Sequence, residues 1–348
     1  MIRVLIVEDS PTVISIFKHM INSEKDMEVV GVAENGKEAI ELTTRLKPDL
    51  ITMDIEMPVM NGLEATRIIM SQNPTPIVVI SSTVSDESIK AIFHFLEAGA
   101  LTALAKPADI FSPSFEETKK YMINTLRAMA SINVAKKPLK QPFLKTIPFQ
   151  PKTDHYEIIA IGASVGGPLA LKSILSKLPV DFPVPIVVVQ HISKGFTAGY
   201  VKWLGENTPL KVKIAENYEI LQKGTVYVAP EMRHLEIERI DGNLAARVIV
   251  GEPVSDFYPS ITVLLKSVSK VSGKNAIGML LTGMGGDGAQ GLLELKRAKG
   301  CTIVQDPDSA VVFGMASVAQ SLGAVDQVVE IDHMAAYLTK LIKQNYTR

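Results

Sequence analysis

Short apolar runs alternate with amphipathic stretches along the first third of the chain. Five runs have the length and composition of buried strands: Val4–Val7, Val29–Val32, Leu50–Met53, Ile77–Ile80 and Leu101–Ala105. Segments with helical periodicity follow them, near residues 11–22, 37–46, 62–72, 86–97 and 114–130. Strands that alternate with helices predict a parallel sheet covered on both faces. We therefore expect a (βα)5 domain over residues 1–130.

The same alternation restarts at Tyr156. The strand candidates there are Ile158–Ile161, Ile186–Gln190, Val226–Ala229, Ala276–Leu281, Thr302–Gln305 and Gln327–Ile331. Apolar and polar residues alternate on both sides of Asp241-Gly242-Asn243, which predicts a β-hairpin. The fold class predicted for the whole chain is therefore α/β, with two doubly wound parallel-sheet domains, the second spanning residues 155–348 and carrying the hairpin.

Residues 131–154 break this rhythm. This segment holds four prolines, with lysines between them: Pro138, Pro142, Pro148 and Pro151. Prolines at this density support neither a helix nor a central strand. We expect a linker between the two domains.

Composition narrows the class of protein. Of 348 residues, 47% are hydrophobic and 21% charged, which is typical of a folded globular protein. The net charge of −1 gives no basic footprint, so no nucleic-acid partner is expected. The single cysteine, Cys301, excludes a disulfide scaffold or a cysteine-ligated zinc site within one chain. The first residues read as a strand rather than a signal peptide, and no apolar run approaches the ~20 residues that span a bilayer. We expect a cytoplasmic protein with no membrane insertion.

Charged and polar side chains stand at the ends of four predicted strands in the first domain. Glu8 and Asp9 follow the first strand, Asp54 the third and Lys106 the fifth, while Ser81 ends the fourth. We expect the first, third and fifth strands to be neighbours in the sheet, so that the carboxylates converge on the lysine at its carboxyl edge. Such a cluster favours a hard cation such as Mg²⁺. Any one of these acids alone could instead be a loop cap.

This constellation resembles the receiver domain of two-component response regulators. The motifs that carry the resemblance are Val7-Glu8-Asp9-Ser10, the stretch from Met53 to Gly62, Ile80-Ser81-Ser82 and Ala105-Lys106-Pro107. The resemblance implies that Asp54 is the phosphoacceptor and that Glu8 and Asp9 help it to hold Mg²⁺. It also implies that Ser81 binds a phosphoryl oxygen and that Lys106 pairs with the phosphoryl group.

Ser164 is the candidate nucleophile of the second domain. It lies in Gly162-Ala163-Ser164-Val165-Gly166-Gly167, directly after an apolar strand candidate. Glycines around a serine at a strand end permit the sharp turn of a nucleophile elbow. A phosphate-binding loop is the alternative, but the segment lacks both the G-x-G-x-x-G spacing and a G-K-[ST] sequence.

A base and an acid stand at other strand ends. His191 follows the strand candidate Ile186–Gln190, whereas His234 is a weaker candidate in a loop-to-strand segment. Asp287 is the one acid of the glycine-dense loop Leu281–Gly288. If the two strands are neighbours, Asp287 can orient His191. The loop amides could form an oxyanion hole, or else an anion-binding nest.

The second domain resembles the catalytic domain of the chemotaxis protein-glutamate methylesterases, the CheB family. The matching motifs are Gly162–Pro168, Val189–His191 with Gly195–Thr197, Val226–Pro230 with His234-Leu235, Leu281–Gly288 and Val311–Met315. The resemblance implies that Ser164 is the nucleophile, His191 the general base and Asp287 its partner, with the backbone at Val165 and Met284 stabilising the oxyanion.

The implied reaction is hydrolysis of glutamyl γ-methyl esters on methyl-accepting chemotaxis receptors, with deamidation of glutamine as a sister activity. The catalytic domain would need no cofactor, and a chemotaxis histidine kinase would be the phosphodonor. A receiver joined by a linker to an esterase suggests that phosphorylation of Asp54 controls access to Ser164. The alternative is a non-enzymatic response regulator whose second domain only binds a partner.

Four positions depart from the family patterns. Ala103 stands where receivers usually carry an aromatic residue, and Val165 replaces a customary threonine. Gly286 stands where an asparagine usually precedes the aspartate. Phe257 opens a segment that usually begins with a basic residue and lines the substrate cleft.

Overall fold

The computed structural model describes residues 1–81, 86–107, 115–134, 155–254 and 257–343, with the side chains at 86–89, 117 and 343 outside that description. The chain divides into two units, Met1–Phe143 and Leu144–Arg348. The boundary falls inside the predicted linker, of which residues 135–154 lie outside the described residues. The linker therefore stays a prediction.

The first unit alternates strands and helices along the whole of its described length. Its strands are β1 (Ile2–Val7), β2 (Met27–Ala33), β3 (Leu50–Asp54), β4 (Ile77–Ser81) and β5 (Thr102–Ala105). Its helices are α1 (Pro11–Asn22), α2 (Gly36–Leu46), α3 (Gly62–Gln72), α4 (Asp86–Glu97) and α5 (Phe115–Ala130). Among the described residues the sheet order is β2-β1-β3-β4-β5, and all pairs are parallel.

Local sequence explains where the helices of this unit begin. The side chain of Asn35 accepts a hydrogen bond from the Glu38 N–H at the start of α2, and Asn61 does the same for Glu64 in α3. Helix α1 starts at Pro11, which tolerates the first helical position because it has no N–H to leave unpaired. The asparagines before α2 and α3 thus end the preceding loops and start these two helices.

The second unit repeats this plan with a larger sheet. Its strands are β6 (Ile158–Ala163), β7 (Ile186–Gln190), β8 (Lys211–Ile214), β9 (Thr225–Val228), β10 (His234–Ile240), β11 (Asn243–Ile249), β12 (Ala276–Leu280), β13 (Cys301–Gln305) and β14 (Gln327–Val329). Its helices are α6 (Gly167–Leu175), α7 (Thr197–Glu206), α8 (Ile261–Val271), α9 (Ala289–Arg297), α10 (Gly314–Ser321) and α11 (Ile331–Lys343), with a 3-10 turn at Gly273–Asn275. Within the described residues the parallel sheet has the order β14-β13-β12-β6-β7-β9-β8.

Strands β6, β7, β12 and β13 are buried along their whole length, as expected for a parallel sheet covered on both faces. Strands β10 and β11 form a separate antiparallel hairpin. Its two-residue turn has φ of 49° at Asp241 and 82° at Gly242. Positive φ at both positions is the mark of a type I′ turn, so the hairpin predicted from Asp-Gly is confirmed.

The predicted α/β fold class is confirmed for both units. Two details of the second unit differ from the prediction. Strand β8 was not predicted, because Lys211-Val212-Lys213-Ile214 is a short edge strand with two charged residues. Strand β14 ends at Val329, and Ile331, which we assigned to it, begins α11. None of the described helices is long and apolar enough to cross a membrane.

Candidate functional site

The loops that follow β6, β7 and β12 meet at the carboxyl edge of the second sheet. Ser164 follows β6 directly and His191 follows β7 directly, while Asp287 lies in the loop between β12 and α9. The condition that β7 and β12 be neighbours is not met, because β6 lies between them. Strand β6 thus carries Ser164 between the strands of its two predicted partners, and the flanking loops reach over the end of β6.

Backbone hydrogen bonds extend the ladder into these loops. The N–H of Ser164 donates to the Thr282 carbonyl at 3.0 Å, and that of His191 donates to the Ala163 carbonyl at 2.9 Å. These bonds fix the backbone of the serine and the histidine to the ends of the sheet. The site therefore stands on buried strands rather than on a free loop.

The turn after Ser164 requires a left-handed backbone conformation at Gly166, two residues later. Gly166 has φ of 75°, and a Cβ there would lie 2.6 Å from Cγ2 of Val311. Ser164 itself does not have positive φ. A Cβ on Gly283 would lie 2.7 Å from Cβ of Ser164, so that loop approaches the serine as closely as a backbone without a side chain allows.

The imidazole of His191 is held on two sides. Its Nε2 lies 3.0 Å from Oδ2 of Asp287, and its ring stacks on Phe257 with the ring centroids 4.0 Å apart and the planes 4° from parallel. Its Nδ1 is buried and has no hydrogen-bond partner among the described residues. With Nε2–H donated to a carboxylate, Nδ1 is the nitrogen left to accept a proton. No hydrogen bond joins Ser164 Oγ to this nitrogen in the described residues.

The carboxylate of Asp287 is fully buried and accepts from several donors at once. Its Oδ1 accepts from Ser260 Oγ at 2.8 Å and from the Thr262 N–H at 3.0 Å, and its Oδ2 accepts from the Ile261 N–H at 2.7 Å. Those three residues start α8, so Asp287 also places negative charge at the amino end of that helix.

Opposing effects act on this carboxyl group. Burial by itself raises the pKa of Asp287. The hydrogen bond to His191, the charge of His191 and the hydrogen bonds with Thr262 and Ser260 together outweigh burial and lower this pKa. The net pKa lies below the ordinary value of 3.8. Asp287 is therefore an anion at neutral pH.

His234, the weaker candidate for a base, has a different role. Its Nδ1 accepts from the Ser260 N–H at 3.1 Å and its Nε2 contacts the Glu252 carbonyl at 2.9 Å, so both ring nitrogens are engaged. The side chain is buried and packs edge-on against Tyr258. It supports the segment that leads into α8.

Two backbone N–H groups beside Ser164 are available to a ligand. Within the part of the chain that the structure describes, neither Val165 nor Met284 donates its N–H to a backbone carbonyl. The N–H of Ser164 is taken by Thr282, so it does not compete with them. An oxyanion needs such unengaged donors.

The carboxyl edge of the first sheet holds the acidic pocket. Nζ of Lys106 lies 2.7 Å from Oε2 of Glu8 and 2.8 Å from Oδ2 of Asp54. Oδ1 of Asp54 also accepts from the Ile55 N–H at 2.8 Å. The predicted convergence of carboxylates on one lysine is confirmed. The expectation that β5 is a neighbour of β3 is wrong, because β4 lies between them. The side chain of Lys106, which follows β5, reaches across β4 to Asp54.

Asp9 and Ser81 complete the predicted set. Carboxylate oxygens of Glu8, Asp9 and Asp54 lie within 4.8 Å of one another, and Asp9 is the exposed member of the three. Ser81 is buried at the end of β4, and its carbonyl accepts from the Lys106 N–H at 2.7 Å. All five predicted residues thus belong to one edge of the sheet.

The charges of this pocket are not balanced. Burial raises the pKa of the Glu8 carboxyl, and the charge of Asp54 adds to this. Burial by itself lowers the pKa of Lys106, but hydrogen bonds and charges from Asp54 and Glu8 outweigh it, so the pKa is raised. Three carboxylates and one ammonium group leave excess negative charge. Oxygen ligands with this excess fit a hard divalent cation.

Comparisons with known proteins bear on both sites. The family model for CheB methylesterase matches residues 159–338, and that for the response regulator receiver domain matches residues 4–111. The chain is 41% identical to protein-glutamate methylesterase/protein-glutamine glutaminase 2 of Methanospirillum hungatei, over 93% of each chain. It is 39% identical to the corresponding protein 1 of Syntrophus aciditrophicus, over 98% of each chain.

A solved structure agrees. The crystal structure of the Thermotoga maritima CheB methylesterase catalytic domain aligns with 54% of this chain and 98% of its own, at 34% identity and a TM-score of 0.52. This chain belongs to the CheB methylesterase family. The resemblance to this family that the motifs indicated is confirmed. The predicted receiver domain is confirmed as well, by the family model that matches residues 4–111.

Several residues around the site of this CheB-family chain were not predicted as site residues. Ser260 contacts Asp287, Phe257 stacks on His191, and Gln190 bonds to the backbone on both sides of the site. The motif containing Gln190 was noted, and Phe257 stood out as a departure from the family pattern. Their contacts join segments far apart in the chain, so the local sequence around each residue does not predict them.

Proposed function

We propose that this chain is a cytoplasmic protein-glutamate methylesterase and protein-glutamine glutaminase. It acts on methyl-accepting chemotaxis receptors through Ser164, His191 and Asp287, and phosphorylation at Asp54 controls it. The domains are a receiver at 1–130, a linker at 131–154 and a catalytic domain at 155–348. The observation that carries the proposal is the 3.0 Å contact of His191 Nε2 with Asp287, which leaves a buried Nδ1 with no hydrogen-bond partner among the described residues. The backbone of His191 is bonded to Ala163, the residue before Ser164. The names of the relatives support the substrate class.

Acylation begins when Ser164 Oγ attacks the ester carbonyl carbon and its proton passes to Nδ1 of His191. The hydrogen bond between Oγ and Nδ1 forms in this productive state, since catalytic hydrogen bonds often tighten only with substrate bound. The resulting imidazolium is stabilised by the buried charge of Asp287. Collapse of the tetrahedral intermediate expels methoxide, which takes the proton from His191 and leaves as methanol.

Deacylation repeats the same proton transfers with water. The glutamyl ester on Ser164 is attacked by a water, one proton of which passes to His191. The bond between the acyl carbon and Oγ then breaks, Oγ takes the proton back from His191, and the released glutamyl acid loses its remaining proton to solvent. A glutamine side chain follows the same path with ammonia as the leaving group. The N–H groups of Val165 and Met284 stabilise the oxyanion in both steps, because within the described ranges neither has a backbone partner to give up.

The acidic pocket supplies the control input. A carboxylate oxygen of Asp54 attacks the phosphorus of a phosphodonor, which in the cell is the phosphorylated histidine of a chemotaxis histidine kinase. The new P–O bond forms as the P–N bond breaks, and the imidazole of the kinase leaves with the electron pair. Lys106, already within hydrogen-bond distance of Asp54, then pairs with a phosphoryl oxygen, and the Ser81 hydroxyl binds another. Glu8, Asp9 and Asp54 would hold Mg²⁺, which when bound offsets the negative charge of the phosphoryl oxygens.

The test is methanol release by the full-length protein from membranes that carry methylated chemoreceptors, with and without acetyl phosphate. Ser164→Ala should lower the rate by at least about 10³-fold, because it removes the hydroxyl that forms the acyl intermediate. Ser176→Ala, at an exposed serine just after α6, is the matched control and should keep the wild-type rate. Asp54→Asn should keep the basal rate and lose the response to acetyl phosphate.

Two outcomes would contradict the proposal. Methanol release that survives Ser164→Ala would show that this serine is not the nucleophile. A wild-type protein that binds receptors but releases neither methanol nor ammonia would favour the partner-binding alternative.

A further inference from the structure

Gln190 links the backbones of the predicted nucleophile and base. It is the last residue of β7 and is 4% exposed. Its Nε2 donates to the Ser164 carbonyl and to the His191 carbonyl, both at 2.8 Å. Among the described residues it is the one side chain that hydrogen-bonds to the backbone of both.

The orientation of this amide follows from its partners. Carbonyl oxygens only accept hydrogen bonds, so the NH₂ group has to face them. The Oε1 atom therefore points the other way, where it is buried without a hydrogen-bond partner among the described residues. A Cβ on Gly167 would lie 2.1 Å from it, so the glycine that begins α6 makes room for this oxygen. The positive end of the α6 dipole offsets the missing hydrogen bond.

Gln190 connects the backbones of Ser164 and His191, which the hydrogen bonds of the sheet do not join directly. The ladder bond from the His191 N–H ends on Ala163, one residue before the nucleophile. The Ser164 carbonyl lies beyond that bond, in the turn toward α6, where it also accepts from the Gly167 N–H at 2.8 Å. The two bonds of the Gln190 amide connect this turn to the first residue after β7.

We propose that Gln190 is a positioning residue for hydrolysis: its amide fixes the separation of the Ser164 and His191 backbones, and through them that of Oγ and Nδ1. This inference rests on the proposed function of the same site. A shift of about 1 Å between reacting groups lowers a rate by about 100-fold. Losing the amide should therefore act on the chemical step more than on receptor binding.

The test uses the full-length protein with Gln190→Met, which keeps the length of the side chain and removes both donors. We expect kcat for methanol release to fall by about 10- to 100-fold with KM within about twofold of wild type. Reaction of Ser164 with a serine-directed sulfonyl fluoride should slow by a similar factor, because that reaction needs no receptor.

Thr302→Val is the matched control for lost buried hydrogen bonding. Thr302 is fully buried near the amino end of β13, away from the site, and its Oγ1 donates to Asp326 at 2.9 Å. Its kcat should stay within about twofold of wild type after a comparable loss of a buried hydrogen bond. Unfolding in urea and circular dichroism show whether each variant is folded.

A second variant covers poor folding of the first. Gln190→Glu keeps the shape, and its buried carboxyl, when protonated, retains one donor for the two carbonyls. At about pH 6 its loss in kcat relative to wild type should be smaller than that of Gln190→Met.

The proposal is overturned by a folded Gln190→Met with wild-type kcat, by a change confined to KM, or by an equal loss of kcat in Thr302→Val. A wild-type protein without methylesterase activity would overturn the proposed function instead. The sulfonyl fluoride rates would then still decide whether Gln190 sets the reactivity of Ser164.

Discussion

Asp287→Asn tests the two roles that the structure gives to one buried carboxylate. The carboxylate accepts from His191 and from the first residues of α8. Asparagine keeps one oxygen and replaces the other with an NH₂ group. Whichever way the amide turns, its N–H groups face at least one donor, so a buried hydrogen bond is lost along with the negative charge.

The loss of stability follows from these contacts. A hydrogen bond to a charged group contributes about 1.5–3 kcal/mol, and a negative charge at a helix amino end up to about 2 kcal/mol. The free energy of unfolding should therefore drop by about 3–5 kcal/mol, as measured by urea denaturation. Ser260→Ala removes only one donor to the carboxylate and should cost about 1.5–3 kcal/mol.

The loss of activity has a separate cause. An asparagine N–H directed at Nε2 selects the imidazole tautomer with the proton on Nδ1, which then accepts no proton from Ser164. We expect kcat for methanol release to fall by about 10⁴-fold, or about 5.5 kcal/mol in the barrier. A folded Asp287→Asn protein with kcat within tenfold of wild type would refute the assigned role of Asp287.

The pH dependence supplies an independent check. Because the pKa of Asp287 is lowered in the folded state, its stabilising contribution is full above the ordinary value of 3.8 and disappears as the pH falls through the lower folded value. Between about pH 5 and the folded pKa, wild type should lose stability more steeply than Asp287→Asn. Parallel stability curves for the two proteins would contradict the lowered pKa.

Three further substitutions probe other contacts. Phe257→Leu keeps apolar bulk but loses the flat stack on His191, so kcat should fall about 2- to 12-fold, and an unchanged kcat would show that the stack is incidental. Gly283→Ala would place its Cβ 2.7 Å from Cβ of Ser164, so urea denaturation should show a loss of about 1–3 kcal/mol, with a lower rate of methanol release. Lys106→Met removes the positive charge that pairs with Glu8 and Asp54 and competes with a cation for them. Calorimetric titration should therefore show Mg²⁺ binding that is tighter by about fivefold or more. Weaker binding would contradict the assignment of a cation site there.

The sequence predicted the elements of this fold far better than their neighbours in the sheets. Apolar runs locate strands such as β6 and β7 because full burial demands continuous aliphatic residues. No run indicates that β6 lies between β7 and β12, since strand order depends on how helices pack over the sheet. The edge strand β8 was missed because its two lysines do not resemble a buried strand.

The candidate site divides in the same way. Ser164, His191 and Asp287 could be selected because polar residues at the ends of apolar runs stand out. Gln190 and Ser260 could not, because their contacts depend on distances between loops. Glutamine at the end of a strand is unremarkable until the carbonyls that it bridges are known.

The central position of β6 has a consequence for synthesis on the ribosome. Ile158 of β6 pairs with Ala276 of β12, a partner made 118 residues later. At about 5–20 residues per second, one edge of this apolar strand waits about 6–24 seconds for its neighbour. Asp287 is made 123 residues after Ser164, so during that part of elongation the nascent chain holds its serine without the carboxylate that aligns its base. Under the proposed mechanism, esterase activity begins only after the segment that carries Asp287 has been made.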